Sequence, residues 1–234
     1  MVRPLRTPAP SLSLGDLLEH SPWYPRISAA AQAQVRGDIV ERSIAIGDSL
    51  GRQGEQQRWW FGVLEGLLKW SINAADGRTV TLGGQSVGSW FGEGTLLRGQ
   101  PRDADLIALR HSRVALISFE TFDWLRRSEP DFNEFVLLQI NERLHWFMGN
   151  YAAHRLLATE RLIARALVGL VHPLLNPRGE RYLIISQEEL SNLASVSRQR
   201  CNPSLVALQR DGIVQLDYGA IRILDLNALQ GLAQ

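Results

Sequence analysis

The 234-residue sequence predicts an α+β fold in three parts: an N-terminal antiparallel β-roll, one long helix, and a C-terminal winged helix-turn-helix. Three observations carry that prediction. Short apolar runs punctuated by glycine fill the first half of the chain. A nearly glycine-free stretch with heptad spacing follows. Residues 185–214 then read as a helix, a tight turn, a second helix opened by arginines, and a strand.

Composition sets the bounds. A chain of this length has room for two domains, each with its own core. Hydrophobic residues make up 45% of it, as in globular proteins. No apolar run approaches the ~20 residues that a bilayer span requires. The reading is therefore a cytoplasmic chain with no membrane partner. Residues 1–21 read as a flexible tail, since their basic start lacks the apolar core of a signal peptide. Cys201 is the single cysteine, so there is no intrachain disulfide and no thiolate set for zinc or an iron–sulfur cluster. The net charge of +1 speaks against a nonspecific nucleic-acid coat. It does not exclude a sequence-specific reader that concentrates positive charge locally, as at Arg198, Arg200 and Arg210.

The roll is assigned to residues 22–130. Its runs include Trp59-Trp60-Phe61-Gly62-Val63-Leu64, Gly66-Leu67-Leu68-Lys69-Trp70-Ser71 and Val114-Ala115-Leu116-Ile117. Glycines 47, 54, 66, 77 and 88 fall between short strands, as in a small antiparallel barrel or roll. Asp76-Gly77 is a hairpin turn signal.

The long helix is assigned to residues 131–158. Leu137, Ile140, Leu144, Phe147, Tyr151 and His154 are spaced alternately three and four apart, which is a heptad seam. About 25 residues at ~1.5 Å each extend almost 40 Å, more than a small domain easily covers. The seam is thus read as the interface of a parallel homodimer, with a core helix as the alternative.

The winged helix is assigned to residues 159–234. A first helix covers 160–170, and residues 176–179 form a surface loop. Ser186 is placed to cap the next helix, with Glu189 three residues on completing a capping box. Leu190, Leu193 and Ala194 share one face, and Ser191 is small enough for a closely crossed neighbour. Ser197 is placed to cap the second helix, which opens Arg198-Gln199-Arg200. In a major groove, arginine forks onto guanine and glutamine onto adenine. Residues 213–216 and 220–224 supply the wing strands around a Tyr218-Gly219 turn. The alternative is an amphipathic hairpin with a solvated basic face. Two features sit awkwardly: the tight turn has Ala194-Ser195-Val196 and no glycine, and Pro203 is expected to bend or unwind the second helix. Cys201 reads as a buried small residue, with a redox switch as the alternative.

Together these parts resemble the Crp/Fnr family of bacterial transcription regulators, from about Trp23 to the end. The motifs are Gly47-Asp48, Gly54-Glu55 and Gly66 at roll turns; Phe91-Gly92-Glu93, Leu96-Leu97 and Pro101-Arg102 in the phosphate-binding cassette; Ser186-Gln187-Glu188-Glu189-Leu190 and Val196-Ser197-Arg198-Gln199 in the helix-turn-helix; and Ile223-Leu224-Asp225 at the end of the wing. The resemblance implies an effector-sensing roll, a homodimer, a palindromic operator in double-stranded DNA, and RNA polymerase as a further partner. It makes Arg198, Gln199 and Arg200 base readers and Ser186 and Gln187 phosphate contacts, with Ser197 beside them.

The same resemblance places an effector at Gly92, Glu93, Arg102 and Asp103, with Phe147 and Met148 from the long helix. In relatives that bind cyclic AMP, an arginine and a serine or threonine hold the phosphate, and a glutamate takes the ribose hydroxyl. A threonine–serine pair on the long helix accepts the adenine amino group. Here Glu93 and Arg102 match, but Asp103 places a carboxylate beside the phosphate. Phe147 and Met148 offer no useful acceptor. Cyclic AMP is therefore not the expected ligand. Three readings stay open: an empty pocket with Arg102 paired to Glu93 or Asp103, another ligand, or cyclic di-GMP at a site outside the cassette. Haem and iron–sulfur sensing are not expected, since the five histidines (His20, His111, His145, His154, His172) show no ligand spacing. No metal set, nucleophile–base arrangement or lysine-bearing phosphate loop points to an enzyme. The competing function is a small-molecule sensor that regulates a protein partner through its winged helix.

Overall fold

The structure is a computed structural model that describes residues 11–234. The part of the expected tail over 1–10 lies outside the described residues. Over 11–21 the tail assignment is corrected. Ser13 and Asp16 form a reciprocal capping box that starts α1 (Leu14–Glu19), and Leu17 and Leu18 are buried in the roll. The leucines, which the sequence reading passed over, offset the cost of ordering this segment.

After α1, a short turn of 3₁₀ helix (Tyr24–Arg26) and α2 (Ala29–Asp38) lead into the roll. Its strands are β1 (Val40–Ile44), β2 (Ser49–Gly51), β3 (Trp59–Glu65), β4 (Leu68–Asn73), β5 (Thr79–Gln85), β6 (Trp90–Phe91), β7 (Asp105–Ala108) and β8 (Ser112–Ser118), with α3 (Glu93–Arg98) between β6 and β7. They form two four-stranded antiparallel sheets, ordered β1-β8-β3-β6 and β2-β7-β4-β5. Gly77, with φ +84°, turns the β4–β5 hairpin as Asp76-Gly77 predicted. Between the sheets and the helices lies an aromatic cluster. Trp60 stacks on Trp90 with ring centres 4.3 Å apart, and Trp23 and Phe132 meet these rings edge-on.

Helix α4 (Phe119–Ser128) leads into α5 (Pro130–Leu156), the predicted long helix. One side of α5 buries Phe132, Phe135, Val136 and Gln139 against the roll. Its other side carries exposed leucines. The C-terminal unit comprises α6 (Thr159–Leu170), β9 (Tyr182–Leu183), α7 (Gln187–Leu193), α8 (Arg198–Arg210), β10 (Val214–Asp217), β11 (Ala220–Ile223) and α9 (Leu226–Leu232). The wing strands β10 and β11 pair as expected, and β9 adds an unpredicted third strand to their sheet. Leu167, Leu190, Cys201, Leu205 and Leu208 form the core of this unit, which settles Cys201 as a packed residue whose thiol burial pushes up to about 11.

The unit docks on the roll. The Ser86 backbone N–H donates to Asn176 Oδ1 at 2.7 Å, and its hydroxyl donates to the Leu170 carbonyl at 3.1 Å. Gly84 on β5 lies where any Cβ would come within 2.5 Å of Leu170.

The α7–α8 turn resolves the missing glycine: Ser195 takes it at φ +51°. A left-handed conformation costs a side-chain-bearing residue ~1–2 kcal/mol, and glycine gives back part of that in backbone entropy. Ser195→Gly is therefore expected to raise stability by about 0.5–1 kcal/mol. The measurement is a urea midpoint that increases at constant m-value; a lower midpoint would show that the serine is not strained.

Candidate DNA interface and effector pocket

The helix-turn-helix is built around a carboxylate. Ser186 Oγ accepts the Glu189 N–H at 3.2 Å, and Glu189 Oε2 accepts the Ser186 N–H at 2.7 Å, so the predicted capping box forms on α7. Ser191 is buried, and its hydroxyl donates to the Glu188 carbonyl at 2.8 Å. On α8, Cys201, Leu205 and Leu208 face inward, which turns Arg198, Gln199 and Arg200 to solvent. Arg198 lies 3.9 Å from Glu188, an exposed and weak pairing, and Arg200 has no ion pair among the described residues. Gln187 donates to Asn202 Oδ1 at 3.2 Å and ties the start of α7 to α8.

Two local expectations change. Ser197 occupies the N-cap position of α8, but its side chain makes no capping bond. Nothing in the structure explains why. Pro203 does not interrupt α8, which runs on to Arg210. Pro203 is exposed, and the backbone donor it lacks costs α8 one intrahelical bond.

The pocket lies where the cassette faces α5. Gly92, at φ +103°, permits the turn from β6 into α3. A cavity of about 300 Å³ follows, lined by Trp70, Phe91, Arg102, Asp103, Ile140 and Phe147 among others. Met148 is exposed and is not part of that lining.

The charges in the cavity do not pair as anticipated. Arg102 bonds neither Glu93 nor Asp103. Glu93, 2% exposed, accepts from Arg143 Nε at 2.8 Å, and Asp103 pairs with Arg98 at 2.6 Å near the surface. Arg143 also donates to the Trp90 carbonyl at 2.6 Å and lies over the Trp70 ring. The Arg102 guanidinium lies over Phe61, in the space left by Gly51. Burial pushes its pKa down to about 10, against the pull of Glu55 and Asp105. Two buried polar atoms are left without partners here: Glu93 Oε2, an acceptor, and Arg102 Nη2, a donor. Each such atom costs roughly 1–3 kcal/mol, so the site fits a ligand that brings a hydroxyl and an anionic oxygen.

Along α5, Leu137, Leu144 and Tyr151 are exposed, as is His154. Ile140 is half-buried against the roll core, and Phe147, partly exposed, also lines the cavity. The seam thus touches the pocket at those two positions. Sequence reasoning missed Arg143, Gln139 and Arg110. The Arg143 position was legible in principle, because a glutamate among apolar residues needs a cation. Arg110 forms a bidentate pair with Glu189, 79 residues away, which no local pattern reveals. Among the described residues there is no cluster of three or more metal-ligating side chains, and no helix is long and apolar enough to cross a membrane.

Comparison with known proteins agrees with both halves. Residues 41–129 match the family model for a cyclic nucleotide-binding domain, and residues 160–232 match that for a Crp-like helix-turn-helix domain. Together they account for more than two thirds of the chain. The transcriptional regulator LdrP of Thermus thermophilus is 28% identical over 193 residues, which are 76% of this chain and 89% of that protein. A solved transcriptional regulator of the CRP/FNR family from the same species has a TM-score of 0.61 at 23% identity, covering 83% of this chain and 98% of its own. The c-di-GMP-responsive global regulator CLP of Xanthomonas campestris has a TM-score of 0.61 at 21% identity, covering 85% and 100%. At such identities the solved structures show a shared fold.

The Glu93–Arg143 pair yields a stability test. Arg143→Ala strands a buried carboxylate and is expected to cost roughly 3–5 kcal/mol. Adding Glu93→Gln should restore most of it. Chemical denaturation of the two variants measures this, and a mild single-variant effect would show that water already reaches Glu93.

Proposed function

We propose that this chain, which belongs to the Crp/Fnr family of bacterial transcription regulators, reads a palindromic operator as a homodimer under the control of a ligand held in its roll. The observation that carries the DNA reading is the start of α8. Two arginines and a glutamine point outward from a helix whose opposite face is fully packed. That arrangement suits base recognition in the major groove, with Ser186 and Gln187 at the α7 N-terminus meeting phosphate.

A row of exposed apolar residues on α5 supports the homodimer. Leu137, Leu144 and Tyr151 are each more than half exposed and follow the heptad spacing. Such a face is costly in water and pairs naturally with its own copy. Two-fold symmetry then sets the half-sites about 34 Å apart.

The ligand reading rests on the two unpartnered buried atoms. An empty, self-paired pocket does not account for them, whereas a hydroxyl-bearing anion satisfies both. Phe147 gives the adenine amino group no acceptor, so cyclic AMP is disfavoured. An anion with no amino group to place at Phe147 is the better candidate for this pocket, and a relative named for its response to c-di-GMP makes that compound one to try, at a site outside the cassette.

Footprinting on a duplex enriched from a randomised library tests the DNA reading. Two protected half-sites one helical turn apart are expected. Arg198→Ala and Arg200→Ala should each cost about 1–3 kcal/mol and relax specificity at one position. A duplex bound equally well by both variants would defeat the assignment. Calorimetric titration with cyclic AMP, cyclic GMP and c-di-GMP tests the pocket. Cyclic AMP should bind more weakly than micromolar, and any ligand that does bind tightly there should lose affinity in Arg102→Gln. Submicromolar cyclic AMP would overturn the reading of Phe147.

A further inference from the structure

We infer that Arg110, a residue of the roll, positions the DNA-reading helices by holding Glu189. The functional half of this inference rests on the DNA-binding reading above. Arg110 lies in the turn between β7 and β8. Its Nη1 and Nη2 donate to the two oxygens of Glu189, each at 2.6 Å, its Nε donates to the Ile184 carbonyl at 3.1 Å, and Nη1 also reaches the Leu109 carbonyl. The planar fork of a guanidinium meeting both carboxylate oxygens fixes direction as well as distance. Arg110 and Glu189 side chains are only 26% and 19% exposed.

Glu189 is the residue that closes the α7 capping box. Its Oε2 accepts the Ser186 N–H at 2.7 Å and the Ser186 hydroxyl at 2.9 Å while it also holds Arg110. Burial alone would push this carboxyl up; the bonds from Arg110 and Ser186 outweigh it and hold the group below its usual range. One carboxylate therefore defines both where α7 begins and how the roll grips it.

The rest of the seam holds the unit at other places than α7. Leu67 of the roll packs into the core of the DNA-reading unit, and Gly84 admits Leu170. This packing resists tilting but makes no directed bond to α7. The polar contacts that cross elsewhere, Ser86–Asn176, Asn150–Arg165 and Glu142–His172, hold other parts of the C-terminal unit. Among the described residues, the Arg110–Glu189 fork is the polar contact from the roll that acts on α7 itself. Its strand also leads back to the pocket: Leu106 on β7 lines the cavity, and Asp105 at its start is held by the Gln53 N–H at 2.7 Å and Asn73 at 2.5 Å.

Two recognition helices must enter grooves at a fixed separation, so a wandering domain weakens binding by the entropy of aligning it. The test uses the full-length chain with Arg110→Gln, Glu189→Gln, both together, and Arg110→Lys. Glu189→Gln keeps a residue that still completes the capping box, so it removes the fork and spares α7. In scanning calorimetry the wild type should unfold in one transition. Each Gln variant should split it, and the double variant should resemble the singles. Unsplit transitions in both singles, or losses that add in the double, would overturn the inference.

The second readout is affinity for the duplex that the wild type enriches from a randomised library. Arg110→Gln and Glu189→Gln should each weaken binding about tenfold with an unchanged salt slope, and Arg110→Lys should recover only part. If instead Arg110→Gln lowers the salt slope while Glu189→Gln strengthens binding, Arg110 is a phosphate contact and the positioning role is wrong. If the wild type enriches no duplex, the DNA reading falls while the calorimetric result still decides whether the fork couples the two units.

Discussion

Helix α5 has to satisfy four neighbours at once, and the Trp90 carbonyl is where their demands meet. Its oxygen accepts from Gln139 and from Arg143, each at 2.6 Å, so two successive turns of α5 are tied to the end of strand β6. The same tryptophan stacks on Trp60 and donates its indole N–H to Ser21 at 2.7 Å. One residue thus joins the segment after the N-terminal helix, strand β3 and the long helix. Everything further along α5 inherits its position from that junction: the cavity wall at Ile140 and Phe147, the exposed apolar face, and the Trp146 ring on which the next unit packs.

The pocket is held open at an electrostatic cost. A guanidinium with its pKa pushed down by burial and a carboxylate with one unpaired oxygen lie in an apolar setting, where unpaired polar groups are expensive. A site that served only stability would close them against each other. They are instead held apart: Glu93 by Arg143, and Arg102 by the flat face of Phe61 and the space left by Gly51. This separation stores free energy that a suitable ligand recovers on binding.

Much of this was legible in the sequence where the signal was local. The Ser186–Glu189 capping box, the buried face of α8, the wing turn and the Asp76-Gly77 hairpin all depend on residues within a few positions of one another. The α5 seam was half legible. Its spacing was visible, but the inward lean of Ile140 and Phe147 depends on where the roll sits. What escaped was non-local. Arg143 stands just outside the heptad positions, so a search for an apolar seam passes over it. Leu17 and Leu18 lie in a stretch read as a tail because its basic start lacks an apolar core, and only the roll gives them something to bury against. Pro203 misled in the other direction: its cost is one missing bond on an exposed face, too small to break a helix held by Cys201, Leu205 and Leu208.

The tightness of the seam limits how a signal can cross it. Gly169 on α6 lies against Trp146 of α5, where an added Cβ would come within 2.7 Å of the ring, and Gly84 leaves equally little room at Leu170. Arg165 of α6 lies over that same Trp146 ring and donates to Asn150 Oδ1 at 2.5 Å. Surfaces this close do not tilt gradually, because small displacements bring repulsion before they release any contact. A reorientation of the DNA-reading unit must therefore pass between discrete packings, with the Ser86–Asn176 and Arg110–Glu189 contacts made or broken as a set. A ligand in the roll can favour one packing only through groups that differ between them. Arg143 and Phe147 are placed for that role, since both line the roll cavity and both border the smaller cleft between α5, α6 and β5. A shift of α5 by a fraction of a turn would change the pocket and the seam together, so the roll and the C-terminal unit share one mechanical element.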